Sequence, residues 1–189
     1  MTNRILIFTV FSFLILFSCS KEMSEIDTST INYWGESSVL KNNVLWETDL
    51  VYGGDHPSLE DSLLHHPGLV ITIETFNSLG YPIENLAFNE IPCEVGRQSL
   101  FKGDPNQVDF PTVSYITIQD GFGDVLGDVY RVVDKFDNFI EILSLENDEI
   151  KANFELLMVR DTSRRKVSIN SPDSISFTNG FFHTKLNVR

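Results

Sequence analysis

The sequence predicts an all-β fold, an antiparallel β-sandwich of about eight to ten strands that curls toward a barrel and holds at most one short helix. Three observations carry that expectation. Apolar residues recur with a period of two, the runs are rich in β-branched and aromatic side chains, and turn-forming residues punctuate them about every 8 to 12 positions. The chain has 189 residues, 42% of them apolar and 22% charged. That mix suits one compact domain with a sizeable core and excludes a collagen, a coiled coil or a multi-span membrane protein.

The first element is an address. Arg4 precedes an apolar stretch from Ile5 to Phe17 broken only by Thr9 and Ser12, and the small residue Ser18 follows. Basic, apolar and small-residue regions in that order make a secretory signal. As a helix the apolar part would reach roughly 20 Å, short of the about 30 Å hydrocarbon core, so a permanent span is not expected. Leu16-Phe17-Ser18-Cys19 resembles the lipobox of bacterial lipoproteins, matching best at Leu16, Ser18 and Cys19. The resemblance implies a diacylglyceryl group on the sulfur of Cys19, which becomes the first mature residue. Two or more acyl chains anchor a domain stably where one does not. Residues 1–18 are thus read as a signal peptide, and 19–30 as a lipidated cysteine with a polar tether. Residues 31–189 are read as a single β-sandwich domain.

The strands follow in order. Residues 44–52 alternate, with Val44, Trp46, Thr48 and Leu50 on one face. Residues 58–66 are the one helical piece expected, with Ser58 and Asp61 spaced as a capping box and Pro67-Gly68 ending it. Leu69, Ile71 and Ile73 share a face of the next strand, 69–76. Strands are expected at 86–91, 113–119, 125–133 and 139–145. Another spans 150–160, where Ile150, Ala152, Phe154, Leu156 and Met158 line one face. Residues 167–170, 174–178 and 181–188 complete the set. Turns are expected at 77–80, 120–123, 134–138, 146–148 and 161–163, because Gly, Asn and Asp tolerate positive φ or form Asx-turns. Asn179-Gly180, between Phe177 and Phe181, is the strongest hairpin signal of all.

A wider resemblance rests on Val70-Ile71-Thr72-Ile73, Asn77-Ser78-Leu79-Gly80, Leu86-Ala87-Phe88, Ile91-Pro92 with Gly96, Gly123-Asp124-Val125 with Tyr130, and residues 138–142 and 150–154, closing on Asn179-Gly180-Phe181-Phe182. These segments resemble a group of uncharacterised Bacteroidota lipoproteins carrying a β-sandwich-like domain of unknown function. Ala152 stands where that group commonly has glycine. The resemblance implies a fold and says nothing about chemistry.

Charge narrows the partners. Acids outnumber bases 27 to 14. Removing residues 1–18 takes away Arg4 and no acid, leaving 13 bases against 27 acids, a formal −14. Nucleic acid and anionic head groups are therefore poor partners. Membrane attachment is expected through the lipid alone. The expected location is the cell envelope, at the outer membrane, with the periplasmic and surface faces both open.

No motif for nucleophilic, metal or phosphate chemistry occurs: no Gly-x-Ser-x-Gly, His-Glu-x-x-His, P-loop or Cys-x-x-Cys. No catalytic residue, resident metal or cofactor is expected. Asp120, Asp124 and Asp128, interleaved with glycines, lack EF-hand spacing and read as a water-facing turn with Asp128 on the outer face of the next strand. His65-His66, even with His56, Asp55 or Asp61, lacks the separation of three or four that two ligands on one helix face need. Cys93 has no disulfide partner if Cys19 carries lipid, and reads as a buried or half-buried filler. Trp34, Trp46, Tyr33, Tyr52 and Tyr81 offer an aromatic platform, with Trp46 more at home in the core. Arg160, Arg164, Arg165 and Lys166 read as a solvated hairpin tip able to meet an acidic partner.

The leading expectation is a lipid-anchored, non-enzymatic binding or accessory module for a glycan, a peptide or another envelope protein. The alternatives are a small envelope hydrolase using a carboxylate pair, which has no sequence signature, and a structural spacer or assembly subunit. The anchor has a direct test. Intact mass spectrometry of the membrane-extracted protein should find a diacylglyceryl adduct on Cys19, lost together with globomycin-sensitive processing in Cys19→Ala; a released chain with a bare Cys19 thiol would overturn it.

Overall fold

In a computed structural model of the protein, described for residues 35–55, 68–102, 111–119 and 125–187, eleven β-strands and no helix are found among the described residues. All of them lie in the compact unit Tyr33–Arg189. The strands are β1 Gly35–Lys41, β2 Val44–Leu45, β3 Leu50–Asp55, β4 Leu69–Phe76, β5 Pro82–Ile91 and β6 Gly96–Ser99, then β7 Thr112–Ile118, β8 Leu126–Val132, β9 Phe139–Glu146, β10 Glu149–Arg160 and β11 Ser174–Asn187. The helix expected at 58–66 falls outside the described residues, as do Cys19 and the tether.

The fold is all-β, with eleven strands in place of the eight to ten expected. Pairing runs β2-β1-β11-β3-β4-β5-β7-β8-β10-β9-β6, and β11 also pairs with β10, so β11, β3, β4, β5, β7, β8 and β10 close a ring. Every strand pairing is antiparallel except β11 with β3, through Leu186↔Gly53 and Asn187↔Gly54, which makes the sheet mixed. Strands β10 and β11 each serve two neighbours on one edge. Along β10, residues 149–155 pair with β9 and residues 158–160 with β8. Along β11, residues 177–184 pair with β1 and 186–187 with β3. The two long strands thereby turn the corners between the faces of the sandwich.

A bulge lies beside the place where β10 passes from β9 to β8. Between Phe154↔Gly180 and Leu156↔Phe177, β11 advances three residues while β10 advances two, and β1 records the same extra residue. Asn179, at φ 50°, occupies the bulge, and Gly180 lies flat on the Phe154 ring, where a Cβ would stand 2.6 Å from ring carbons. Asn179-Gly180 is therefore a bulge inside one continuous strand, correcting the hairpin expected there. The residue types that suit a tight turn also suit this bend, and pairing with β10 and β1 on both sides keeps the chain extended. The true two-residue hairpins use Asn42-Asn43 and Asn147-Asp148, all with positive φ, as a type I′ turn requires. The expected turns at 77–80 and 146–148 are both present.

Alternate apolar residues are buried along β4, β5, β9 and β10. Leu69, Ile71 and Ile73 of β4 are buried, as are Leu86 and Phe88 of β5 and Ile140 and Ile142 of β9. On β10 all five predicted inward residues, from Ile150 to Met158, are at most 1% exposed. Phe88, Phe154 and Phe182 meet at 5.2 to 6.3 Å between ring centroids, while Trp46, Tyr115, Tyr130 and Phe177 form a second aromatic group. The expected strand 44–52 is two strands separated by residues 46–49; Trp46 enters the core, but Val44 is 69% exposed. Residues 167–170 belong to a loop, and β1 and β6 had no signal strong enough to predict.

Because Phe88 and Phe182 hem in the Phe154 ring, it cannot yield to a new methyl. Gly180→Ala is expected to lower unfolding stability by about 1–3 kcal/mol, the range for overpacking, measured as a lower urea midpoint at unchanged m-value. An unchanged midpoint would mean the bulge is free to relax.

Candidate functional site

A second bulge organises the part of the surface with unusual chemistry. Between Ile116↔Val129 and Ile118↔Leu126, β8 advances three residues against two on β7. Gly127 fits this crossing because a Cβ there would come within 2.5 Å of Thr117 Oγ1, and the Asp128 amide donates to that oxygen at 2.8 Å. The extra residue changes the phase of the strand. Asp128, expected on the outer, water-facing side, is buried beside Tyr130, 3% exposed. That is a correction, and its cause is the bulge, which simple alternation cannot register. Asp120 and Asp124 lie outside the described residues.

Buried carboxylates need partners, and Asp128 finds them in the β10–β11 loop. Its Oδ1 accepts from the Val167 amide at 3.0 Å, and its Oδ2 from the Ser168 amide at 3.2 Å and the Ser171 hydroxyl at 2.6 Å. Tyr130 Oη donates to the Pro172 carbonyl at 2.8 Å. Burial by itself would raise the Asp128 pKa; the Ser171 hydroxyl, the two amides and the nearby Arg160 charge outweigh it and hold the carboxyl below the usual range. Burial likewise pushes the Tyr130 phenol up, leaving it a fixed donor. The loop from 161 to 173 is thus pinned at both ends of its return to β11.

The pinned loop walls a groove of about 470 Å³ at the ends of β8 and β10 and the start of β11. Lys102, Arg131 and Arg160 line it together with Asp161 and Asp173, and Val132 and Val159 add apolar surface. Three bases against two acids make it locally cationic on a chain of net charge −13. Its ion pairs are unequal. Arg131 Nε donates to Asp161 Oδ2 at 3.1 Å, and Asp161 Oδ1 accepts from the Ser163 amide and hydroxyl at 3.0 and 2.6 Å. The Ser163 hydroxyl foremost, then its amide and Arg131, lower the Asp161 pKa to about 2. Arg160, by contrast, stands 3.6 Å from Asp173 Oδ1, beyond hydrogen-bond reach, and its buried Nε has no hydrogen-bond partner among the described residues. Lys166 is also 3.6 Å from that same, 84% exposed carboxylate.

Of the basic residues singled out by sequence, Arg160 is therefore a groove wall and not part of a solvated tip. Arg164 and Arg165 remain exposed. Lys102, Arg131, Asp161 and Asp173 were missed, since they come from four separate segments and share no spacing. Of the aromatic residues singled out, Trp46 is core and Tyr81 is 48% exposed beside the 77–80 turn, while Trp34 and Tyr33 lie outside the described residues, as do His56, His65 and His66. Cys93 is exposed, correcting the filler role expected of it. It sits in the 92–95 bend between β5 and β6, where neither strand draws it inward. Among the described residues no three His, Cys, Asp or Glu side chains gather as a metal site, and no helix is long and apolar enough to cross a membrane.

A second polar cluster closes on itself. Lys41 Nζ meets both Glu84 oxygens at 2.6 and 2.7 Å and Tyr115 Oη at 3.2 Å, and Trp46 Nε1 donates to Glu84. Burial first, then the Glu84 charge, pushes the Tyr115 phenol far up. Every group there is committed to another, which is the signature of a structural lock. No family model matches the chain, and neither does a curated protein or a solved structure.

Asp128 and Asp161 both have folded pKa values below the ordinary 3.8. Their stabilisation is therefore complete above that pH and is lost as the pH falls through the depressed values. Urea midpoints should decline from about pH 4 toward pH 2, and Asp161→Asn should flatten that decline. Asp128→Ala orphans two amides and a hydroxyl and should cost about 1–3 kcal/mol at pH 7; an unchanged midpoint would show that the clamp holds nothing.

Proposed function

We propose that the protein is a cell-envelope lipoprotein held to its membrane through Cys19, and that its β domain is a non-enzymatic binding module with the Arg131–Arg160 groove as its ligand seat. The observation that carries the binding reading is the groove itself, where Lys102, Arg131, Arg160, Asp161 and Asp173 meet around about 470 Å³, and Asp161 is not a proton donor within it. A carboxylate-pair glycosidase needs one carboxyl with a raised pKa to protonate the leaving oxygen. Asp161 is instead driven down to about 2, and is tied to Ser163 and Arg131. A group fixed in its ionised form orients a ligand and does not donate protons at neutral pH.

The full-length protein in detergent, screened against neutral and acidic glycans, peptides and envelope proteins alongside chromogenic glycosides, should give saturable binding and no turnover. Turnover that disappears in Asp161→Asn would replace this reading with the hydrolase.

A further inference from the structure

Resting on the binding reading, we infer that the groove recognises an acidic sugar, a hydroxylated ring carrying a carboxylate, through Lys102 and Arg160. Its volume of about 470 Å³ falls within the range of small-molecule sites, about 300–1,000 Å³. The cations differ in how far the fold has already used them. Arg131 is held by the Asp161 hydrogen bond. Among the described residues Arg160 has a buried Nε with no hydrogen bond and its nearest counter-charge at 3.6 Å, while the oxygens of Asp128, whose pKa its charge lowers, are engaged by Val167, Ser168 and Ser171. A buried guanidinium nitrogen left so is costly and gains from an anion brought to that guanidinium. Lys102, exposed on the same groove, supplies a second charge.

The remaining groups choose the class of anion. A bare phosphate or sulfate has no use for the exposed apolar surface of Val159, nor for acceptors. A sugar ring has both needs, because its C–H face packs on apolar side chains and its hydroxyls donate to carboxylates. Asp173, with its 84% exposed carboxylate, and the exposed Thr162 hydroxyl stand ready as partners. An oligopeptide of acidic residues carries comparable charge but has neither a ring C–H face for Val159 nor hydroxyls to donate to Asp173, so it uses the cations of the groove and leaves its other groups unmatched.

The test titrates full-length protein with trigalacturonate, maltotriose and triglutamate by calorimetry. Trigalacturonate should bind at least tenfold more tightly than either comparison ligand, and Lys102→Gln, an exposed change that spares the core, should weaken it about five- to tenfold while Lys102→Arg restores it. Arg160→Gln should weaken it further, provided that its urea midpoint is retained. Absence of trigalacturonate binding, equal binding of triglutamate, or affinity indifferent to Lys102→Gln would each overturn the inference. Maltotriose binding unaffected by Lys102→Gln would overturn the acidic-sugar assignment but leave a binding module standing; cleavage of trigalacturonate would overturn the binding reading itself.

Discussion

The pairing of β10 with β11 is the constraint on which the rest of the domain depends. Each of these strands offers one edge to the other and divides its opposite edge between two neighbours, so the ring and its flanking strands meet on this one ladder. A straight strand cannot follow both faces of a sandwich. The Asn179-Gly180 bulge lies in β11 opposite the stretch where β10 passes from β9 to β8, and the missing side chain of Gly180 gives the Phe154 ring its place in the core. Hydrophobic burial supplies the driving force, and the bulge determines which side chains receive it.

The groove is a consequence of the same geometry. Where β10 leaves β9 and takes up β8, its last residues and the following loop stand at a corner of the sheet, where polar side chains gather and, among the described residues, no further strand covers them. A loop of this length would ordinarily sample many conformations. Asp128, turned inward by the β8 bulge, replaces that freedom with three hydrogen bonds to the loop. Ligand-binding loops placed on a rigid scaffold lose less entropy on binding, which links a buried carboxylate to the recognition proposed for the surface above it.

Much of the fold was legible as pattern. The inward faces of β4 and β10 were readable from alternate apolar residues, and the hairpin at Asn147-Asp148 from residues that accept positive φ. The errors cluster at bulges. Asp128 was placed on the wrong face and Asn179-Gly180 was taken for a chain reversal, because one inserted residue shifts the phase of everything after it without altering local composition. Val44 followed the alternation on paper, yet it sits on a two-residue edge strand with little to cover it.

The sequence by itself determined the class of fold, the central strands and the residues that fill the core, since period-two burial is a local property of an extended chain. Only the tertiary structure decided the ring closure, the parallel contact of β11 with β3, and the joining of Lys102, Arg131, Arg160, Asp161 and Asp173 around one groove. Those depend on which distant segments pair and in what register, and register is set by the three-dimensional competition for burial that no single stretch of sequence records.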